Sequence, residues 1–263
     1  MTSLDMKNSR VQQLRRLLGR RSSRYEEGTF VVEGPVLVTE AIRAGWVCES
    51  QFVPENSDTA IDGGGSIFEL ASGVFERVAS TNAPQPPLAI VQMAEVGDVS
   101  ERLQAASFVV ALDRISDPGN LGTILRSVEA AGADLVVLTP GGVDPYNSKV
   151  VRAAAGALFY VPFVVAELDD VAAAGLRLVG TSSHSAHGRT VRPHTDVDFT
   201  GREAIVMGNE AAGLPDDWND VNGPIREWVT IPHQGRTESL NVAMATTVLA
   251  FEAARQRNGP PKR

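Results

Sequence analysis

Between residues 107 and 208 five short apolar runs recur, SFVVAL (107–112), ADLVVL (133–138), VPFVVA (161–166), LRLVGT (176–181) and AIVMG (204–208), and segments of helical character or polar loop separate them. Runs this short and this rich in β-branched residues suit strands buried on both faces, and their alternation with helices implies a mostly parallel α/β sheet. Helical patterns span Asn120 to Ala131 and 148–158, and a long one runs from about Ser239 to Gln256 before the polar end RNGPPKR. The first hundred residues alternate as well: TFVVEG (29–34), a helical Val36 to Ala44, Gly45 as a stop, a strand from Cys48 to Val53, the acidic, glycine-rich IDGGGSIFEL (61–70), and a helix near 72–79. Three prolines in APQPPLAIV (83–91) then interrupt regular structure, and 94–104 is polar and mixed. The length of 263 residues suits two folded units, 1–100 and 101–263.

Composition removes several classes. With 43% apolar and 21% charged residues the chain is neither disordered nor fibrous. No apolar stretch reaches the roughly 18 residues that cross a bilayer, and the basic start lacks a secretory core, so a cytoplasmic protein without membrane contact is expected. Cys48 stands alone and reads as a small buried residue. The histidines His184, His187, His194 and His233 lack the Asp, Glu or Cys that would complete a metal site, so no metal is expected and they read as solvated loop residues. No GxSxG elbow follows a strand, which argues against a hydrolase.

The net charge of −8 conceals an asymmetry. In residues 1–24, Lys7, Arg10, Arg15, Arg16, Arg20, Arg21 and Arg24 face a single acid, Asp5; that segment carries +6 and the remainder −14. From Asn8, a natural N-cap, Val11, Leu14, Leu17 and Leu18 recur at helical spacing with arginines on the other faces. This amphipathic helix is either a solvated face or an arm for a polyanion.

Three segments in the second half carry candidate chemistry. DRISDPGNLGTILRSVEAAGA (113–133) places a turn and a helix start at the carboxyl end of a strand, where open α/β sheets bind ligands. In AIVMGNEAAGL (204–214) a strand runs into Gly208, Asn209 and Glu210; in VTIPHQGRTESLNVAMATTVLA (229–250) a strand leads through a loop to Ser239, Leu240 and Asn241 at a helix start. Taken singly, each is as well explained by an ordinary capped helix.

In this order, DPGNLGTILRSVEAAGA, VMGNEAAGL and IPHQGRTESLNVAMA resemble the signature motifs of the SpoU (TrmH-like) family of RNA ribose 2′-O-methyltransferases, within the SPOUT superfamily. FVVEG (30–34) and Pro84-Gln85-Pro86 resemble the N-terminal RNA substrate-binding domain of its 23S ribosomal-RNA members, with Pro86 where glycine is usual and Ala212 where a bulkier polar residue is common. The resemblance implies a smaller α/β, L30e-like domain followed by a SPOUT α/β domain with a deep C-terminal trefoil knot, which periodicity alone never shows. It implies S-adenosylmethionine as cofactor, ribosomal RNA as partner and an active site at a homodimer interface. By motif position Gly208, Asn209, Ile231, Pro232 and Leu240 contact the cofactor, with Thr181 at its rim, and Asn120, Arg126, Glu210, Ser239 and Asn241 surround the reacting ribose. Arg15, Arg16, Arg20, Arg21, Arg24 and Arg152 are the expected RNA contacts. A guanidinium with a pKa above about 12 is a poor base, so Arg126 is expected to stabilise the developing alkoxide. A transfer-RNA methyltransferase, or a non-catalytic ribosomal-RNA binder with the same fold, is the alternative; such a binder would not need all five reacting-site residues, and all five are present.

Overall fold

The computed structural model describes residues 3–182, 190–215, 218 and 223–259. They form two compact units, Met1–Glu95 with Asp144–Tyr160, and Val96–Val143 with Val161–Arg263. The first division therefore falls a few residues before 100, and the segment NSKVVRAAAGA (147–157), expected in the second unit, packs with the first.

The first unit opens with α1 (Ser9–Gly19), capped by Asn8, whose side chain accepts from the Arg10 amide at 3.0 Å. Arg20 takes an extended conformation and splits the basic segment, so α2 (Arg21–Glu27) is a second helix and not a continuation of the first. There follow β1 (Thr29–Glu33), α3 (Pro35–Arg43), β2 (Cys48–Pro54), β3 (Ser66–Leu70), α4 (Val74–Val78) and β4 (Leu88–Gln92). The sheet order is β1-β4-β2-β3, with β4 antiparallel to both neighbours and β2 parallel to β3. Val11, Leu14 and Leu17 are fully buried in a core shared with Phe52, Leu70 and Leu88. The basic segment is thus part of the fold and not a detachable arm.

The second unit begins with α5 (Val99–Ala105), β5 (Phe108–Leu112), α6 (Pro118–Ala131) and β6 (Leu135–Leu138); α7 (Ser148–Ala153) belongs to the first unit. The chain then forms β7 (Phe163–Val165), α8 (Leu168–Ala173), β8 (Arg177–Thr181), β9 (Val191–Pro193), β10 (Glu203–Met207), β11 (Glu227–Thr230) and α9 (Val242–Asn258). The sheet order is β7-β6-β5-β10-β8-β11-β9, and every pairing is parallel. The near-continuous apolar runs follow from this: all of Phe108–Leu112 and Glu203–Met207 are buried, because helices cover both faces. Val109, Ala111, Val206 and Trp228 pack with Leu103 of α5 and Val171 of α8, while α6 and α9 pack against each other. No helix among the described residues is long and apolar enough to cross a membrane.

A parallel sheet collects the carboxyl ends of all its strands on one edge. Because β5, β10, β8 and β11 are consecutive neighbours, the three motifs and Thr181 meet there, although Asn120 and Asn241 lie 121 residues apart in the chain.

Candidate active site

A cleft of about 630 Å³ opens at that edge, within the range of about 300–1,000 Å³ typical of small-molecule sites. Asn120, Thr181, Gly208, Asn209, Glu210, Ile231, Ser239, Leu240 and Asn241 all line it. Pro232 does not, although its neighbours Ile231 and His233 do.

The polar wall is built around Glu210. Its carboxylate accepts from the Ser116 amide at 3.1 Å, the Ser116 hydroxyl at 2.9 Å, the Asp117 amide at 3.0 Å and the Asn120 side-chain amide at 3.0 Å. Burial opposes ionisation, but the donors from Asn120, Asp117 and Ser116 outweigh it and bring the Glu210 pKa down to about 2. Asn120 Oδ1 in turn accepts from Asn241 Nδ2 at 3.0 Å, and Asn241 Oδ1 caps α9 through the Ala243 amide at 2.9 Å. The chain Glu210–Asn120–Asn241 therefore ties the loop after β10 to the starts of α6 and α9 and fixes both amide orientations. Asp117 caps α6 through the Asn120 amide at 2.8 Å, and Asn209 Nδ2 donates to the Arg114 carbonyl at 2.9 Å.

The loop after β10 turns so tightly that a Cβ on Gly208 would lie 2.4 Å from the Gly213 carbonyl carbon, a contact no side chain tolerates. Gly208 is thus required by close backbone approach, independently of any ligand. Beside it, Thr181 Oγ1 donates to the Val206 carbonyl at 2.9 Å. Met207, Leu214, Val229 and Leu249 supply an apolar wall that suits a flat nucleobase, with backbone groups of Gly208 and Ile231 alongside. These residues fit S-adenosylmethionine.

Besides Pro232, Arg126, Arg24 and Arg152 also lie away from the cleft lining. Arg126 is exposed on α6 and does not line the cleft. Six residues beyond Asn120, it is displaced by about 9 Å along the helix and rotated by about 240°, so the two side chains leave different faces. Arg24 is buried, with its side chain 4% exposed; Nε donates to Asp144 Oδ2 at 2.7 Å and Nη1 to the Leu17 carbonyl at 2.6 Å. It is a structural residue and is not available to RNA. Arg152 lies in the first unit, where Nη1 donates to the Ser80 hydroxyl at 2.5 Å. Arg15, Arg16, Arg20 and Arg21 are exposed; Arg16 pairs with Glu27 at 3.4 Å, and the Arg21 guanidinium lies 5.4 Å from the centre of the Tyr25 ring. Cys48 is buried, while His184 and His187 lie outside the described residues. Among the described residues no group of three or more His, Cys, Asp or Glu is placed to hold a metal ion. His233 is the cleft residue that sequence reasoning set aside; its position directly after the β11 motif was the available signal.

Glu210 yields a pH expectation. A carboxylate whose folded pKa is depressed stabilises the fold above its unfolded value and loses that contribution as pH falls through the folded value. The thermal stability that wild type holds over Glu210→Gln should therefore shrink between pH 4.5 and about 2. A pH-independent difference in melting temperature would show that the ionised form is not what the network holds.

The SpoU rRNA Methylase family model matches residues 107–251, and an MRM3-like substrate binding domain matches 8–89. The 23S rRNA (guanosine(2553)-2′-O)-methyltransferase of Bacillus subtilis is 31% identical over 254 residues, covering 93% of this chain and 96% of the relative. The SpoU methyltransferase AviRb of Streptomyces viridochromogenes, solved with its cofactor AdoMet, superposes with a TM-score of 0.81 at 30% identity, covering 95% of this chain and 98% of that one. An AdoMet-bound rRNA methyltransferase from Sinorhizobium meliloti gives 0.81 at 31% identity, covering 97% of each chain. With both halves matched and the motif residues gathered at one cleft, the chain belongs to the SpoU rRNA methylase family and is an RNA ribose 2′-O-methyltransferase that uses S-adenosylmethionine.

Proposed function

We propose that the chain methylates a ribose 2′-hydroxyl of 23S ribosomal RNA, that its first unit captures the RNA, and that two copies form the working enzyme. The observation that carries this is the fixed Glu210–Asn120–Asn241 chain on the rim of a cleft fit for the cofactor. S-adenosylmethionine supplies an electrophilic methyl group on a positively charged sulfur. Everything else falls to the protein. Glu210, at a pKa of about 2 and held by donors from Ser116, Asp117, Asn120 and Asn209, is a positioning residue and a poor proton acceptor. Asn120 and Asn241 each retain one amide hydrogen beyond the bonds described, and with the Ser239 hydroxyl they orient the ribose oxygens. Such positioning accounts for a large part of the acceleration.

Two features support the homodimer. Met244, Val248 and Phe251, 57%, 38% and 47% exposed, form one apolar stripe on α9 while Leu249, Ala250 and Ala253 pack inward. Arg126 also stands outside its own cleft, where an arginine serving a second copy would stand. The relatives named for 23S rRNA and the substrate-binding domain support the choice of RNA. The test is methylation of unmodified ribosomal RNA and bulk transfer RNA in parallel with labelled cofactor, followed by mapping of the 2′-O-methyl site. Label in 23S rRNA is expected; label confined to transfer RNA overturns the substrate assignment.

The exposed arginines give a separate expectation. Deleting residues 1–24 would strip Val11, Leu14 and Leu17 from the core, so charge reversal is the proper probe. Arg15→Glu with Arg20→Glu should weaken RNA binding and lower its salt slope by about 1 for each phosphate no longer neutralised, with cofactor affinity unchanged. An unaltered slope in filter binding would make this face merely solvated.

A further inference from the structure

The cleft holds an imidazole that the reaction described above leaves unused. His233 lines it beside Ile231 and Leu240, on the loop after β11. Its Nδ1 lies 2.8 Å from the Ile231 carbonyl oxygen. A carbonyl only accepts, so Nδ1 carries the proton, and in the neutral ring Nε2 is a lone pair. Among the described residues nothing bonds Nε2. The backbone thus orients this imidazole and fixes its tautomer, leaving Nε2 as an acceptor beside the apolar and backbone groups of Val229, Ile231 and Leu240.

We propose that His233 is a cofactor-recognising residue, its Nε2 accepting a hydrogen bond from the nucleoside half of S-adenosylmethionine. That half carries the donors an acceptor here would select, the purine amine and the ribose hydroxyls, together with the flat ring that the apolar wall fits. The proposal rests on the reading of the cleft as the cofactor site. The charged groups sharing the cleft are Glu238 on the same loop and Glu210 on the loop after β10, and Arg236 lies on the loop as well. The cleft-lining residues of β8, β11, α6 and α9 are Thr181, Val229, Thr230, Asn120, Val242 and their neighbours, none of them charged.

Titration calorimetry with S-adenosylhomocysteine tests this on the full-length protein. His233→Gln, which offers an uncharged acceptor oxygen, should keep the wild-type affinity. His233→Phe, which keeps a ring and loses the acceptor, should bind about tenfold more weakly than wild type. The same wild-type to Phe ratio is expected with 5′-methylthioadenosine, which has no amino-acid portion. Equal binding by wild type and His233→Phe, matched in melting temperature, overturns the proposal. So does a His233→Gln variant that binds as weakly as His233→Phe, or a ratio that disappears with 5′-methylthioadenosine, which would place the donor in the amino-acid half. If wild type binds neither ligand, it is the assignment of the cleft that fails.

Discussion

Replacing Arg126 by alanine should lower methyl transfer about 10²–10³-fold while leaving the affinity for S-adenosylmethionine unchanged. The size of the effect follows from what the ribose oxygen lacks. A 2′-hydroxyl is a poor nucleophile at neutral pH, and the cleft carboxylate of Glu210 is already saturated with donors and pulled down to about 2. Charge building on the oxygen must therefore be met by a cation, and a guanidinium aimed there loses nothing to reorganisation. The constancy of cofactor affinity follows from position, since Arg126 does not line the cleft of its own chain. In the homodimer proposed above, the arginine would act in the second copy's cleft. Co-expressing Arg126→Ala with a chain whose cleft is filled by Thr181→Trp should then restore about a quarter of wild-type activity, because each mixed dimer regains one complete site. An absence of rescue, with mixed dimers verified by mass, would place Arg126 in its own chain's site. Loss of cofactor affinity in Arg126→Ala would remove its assigned role altogether.

Much of this architecture is legible before any coordinates. The five apolar runs announce a parallel sheet because strands covered on both faces have no polar side to alternate with; β5, β6, β7 and β8 fall within them, and β10 starts one residue earlier, at Glu203. The Val11–Leu14–Leu17 periodicity likewise finds α1 and its buried face. What is not legible shares one physical cause: it depends on pairings between distant residues. Strand order brings β10 between β5 and β8, and only that order joins Glu210 to Asn120, which is 90 residues away. The helices α5 and α8 are short and amphipathic only through one or two residues, such as Leu103 and Val171, so their segments read as polar connections. Arg24 matches its arginine neighbours in composition and differs solely in having a carboxylate 120 residues later.

That carboxylate supports the second large expectation, in which Arg24→Ala and Asp144→Ala each destabilise the fold by about 3–5 kcal/mol. The pair is 4% and 5% exposed, and each partner alone would leave an uncompensated charge in the interior. More than the ion pair depends on it. The Asp144 carboxylate also accepts from the Tyr146 amide at 3.0 Å and the Tyr25 hydroxyl at 3.3 Å, and Tyr146 packs against Phe30 at 4.7 Å between ring centres. Burial, with the Asp144 charge adding to it, pushes the Tyr25 hydroxyl above its usual pKa, as expected of a donor held to a carboxylate. The pair thus fastens Asp144–Tyr160 to the first unit, where Trp46 Nε1 donates to the Phe159 carbonyl at 3.0 Å. The chemistry separates this role from RNA binding. Because a buried pair contributes through mutual compensation, Arg24→Met combined with Asp144→Leu should recover most of the stability lost by either single alanine variant, and RNA affinity should follow stability back. An Arg24 that touched phosphate would instead leave the refolded double variant weak for RNA, with a reduced salt slope. Denaturant melts and RNA titrations of the three variants against wild type decide between these outcomes.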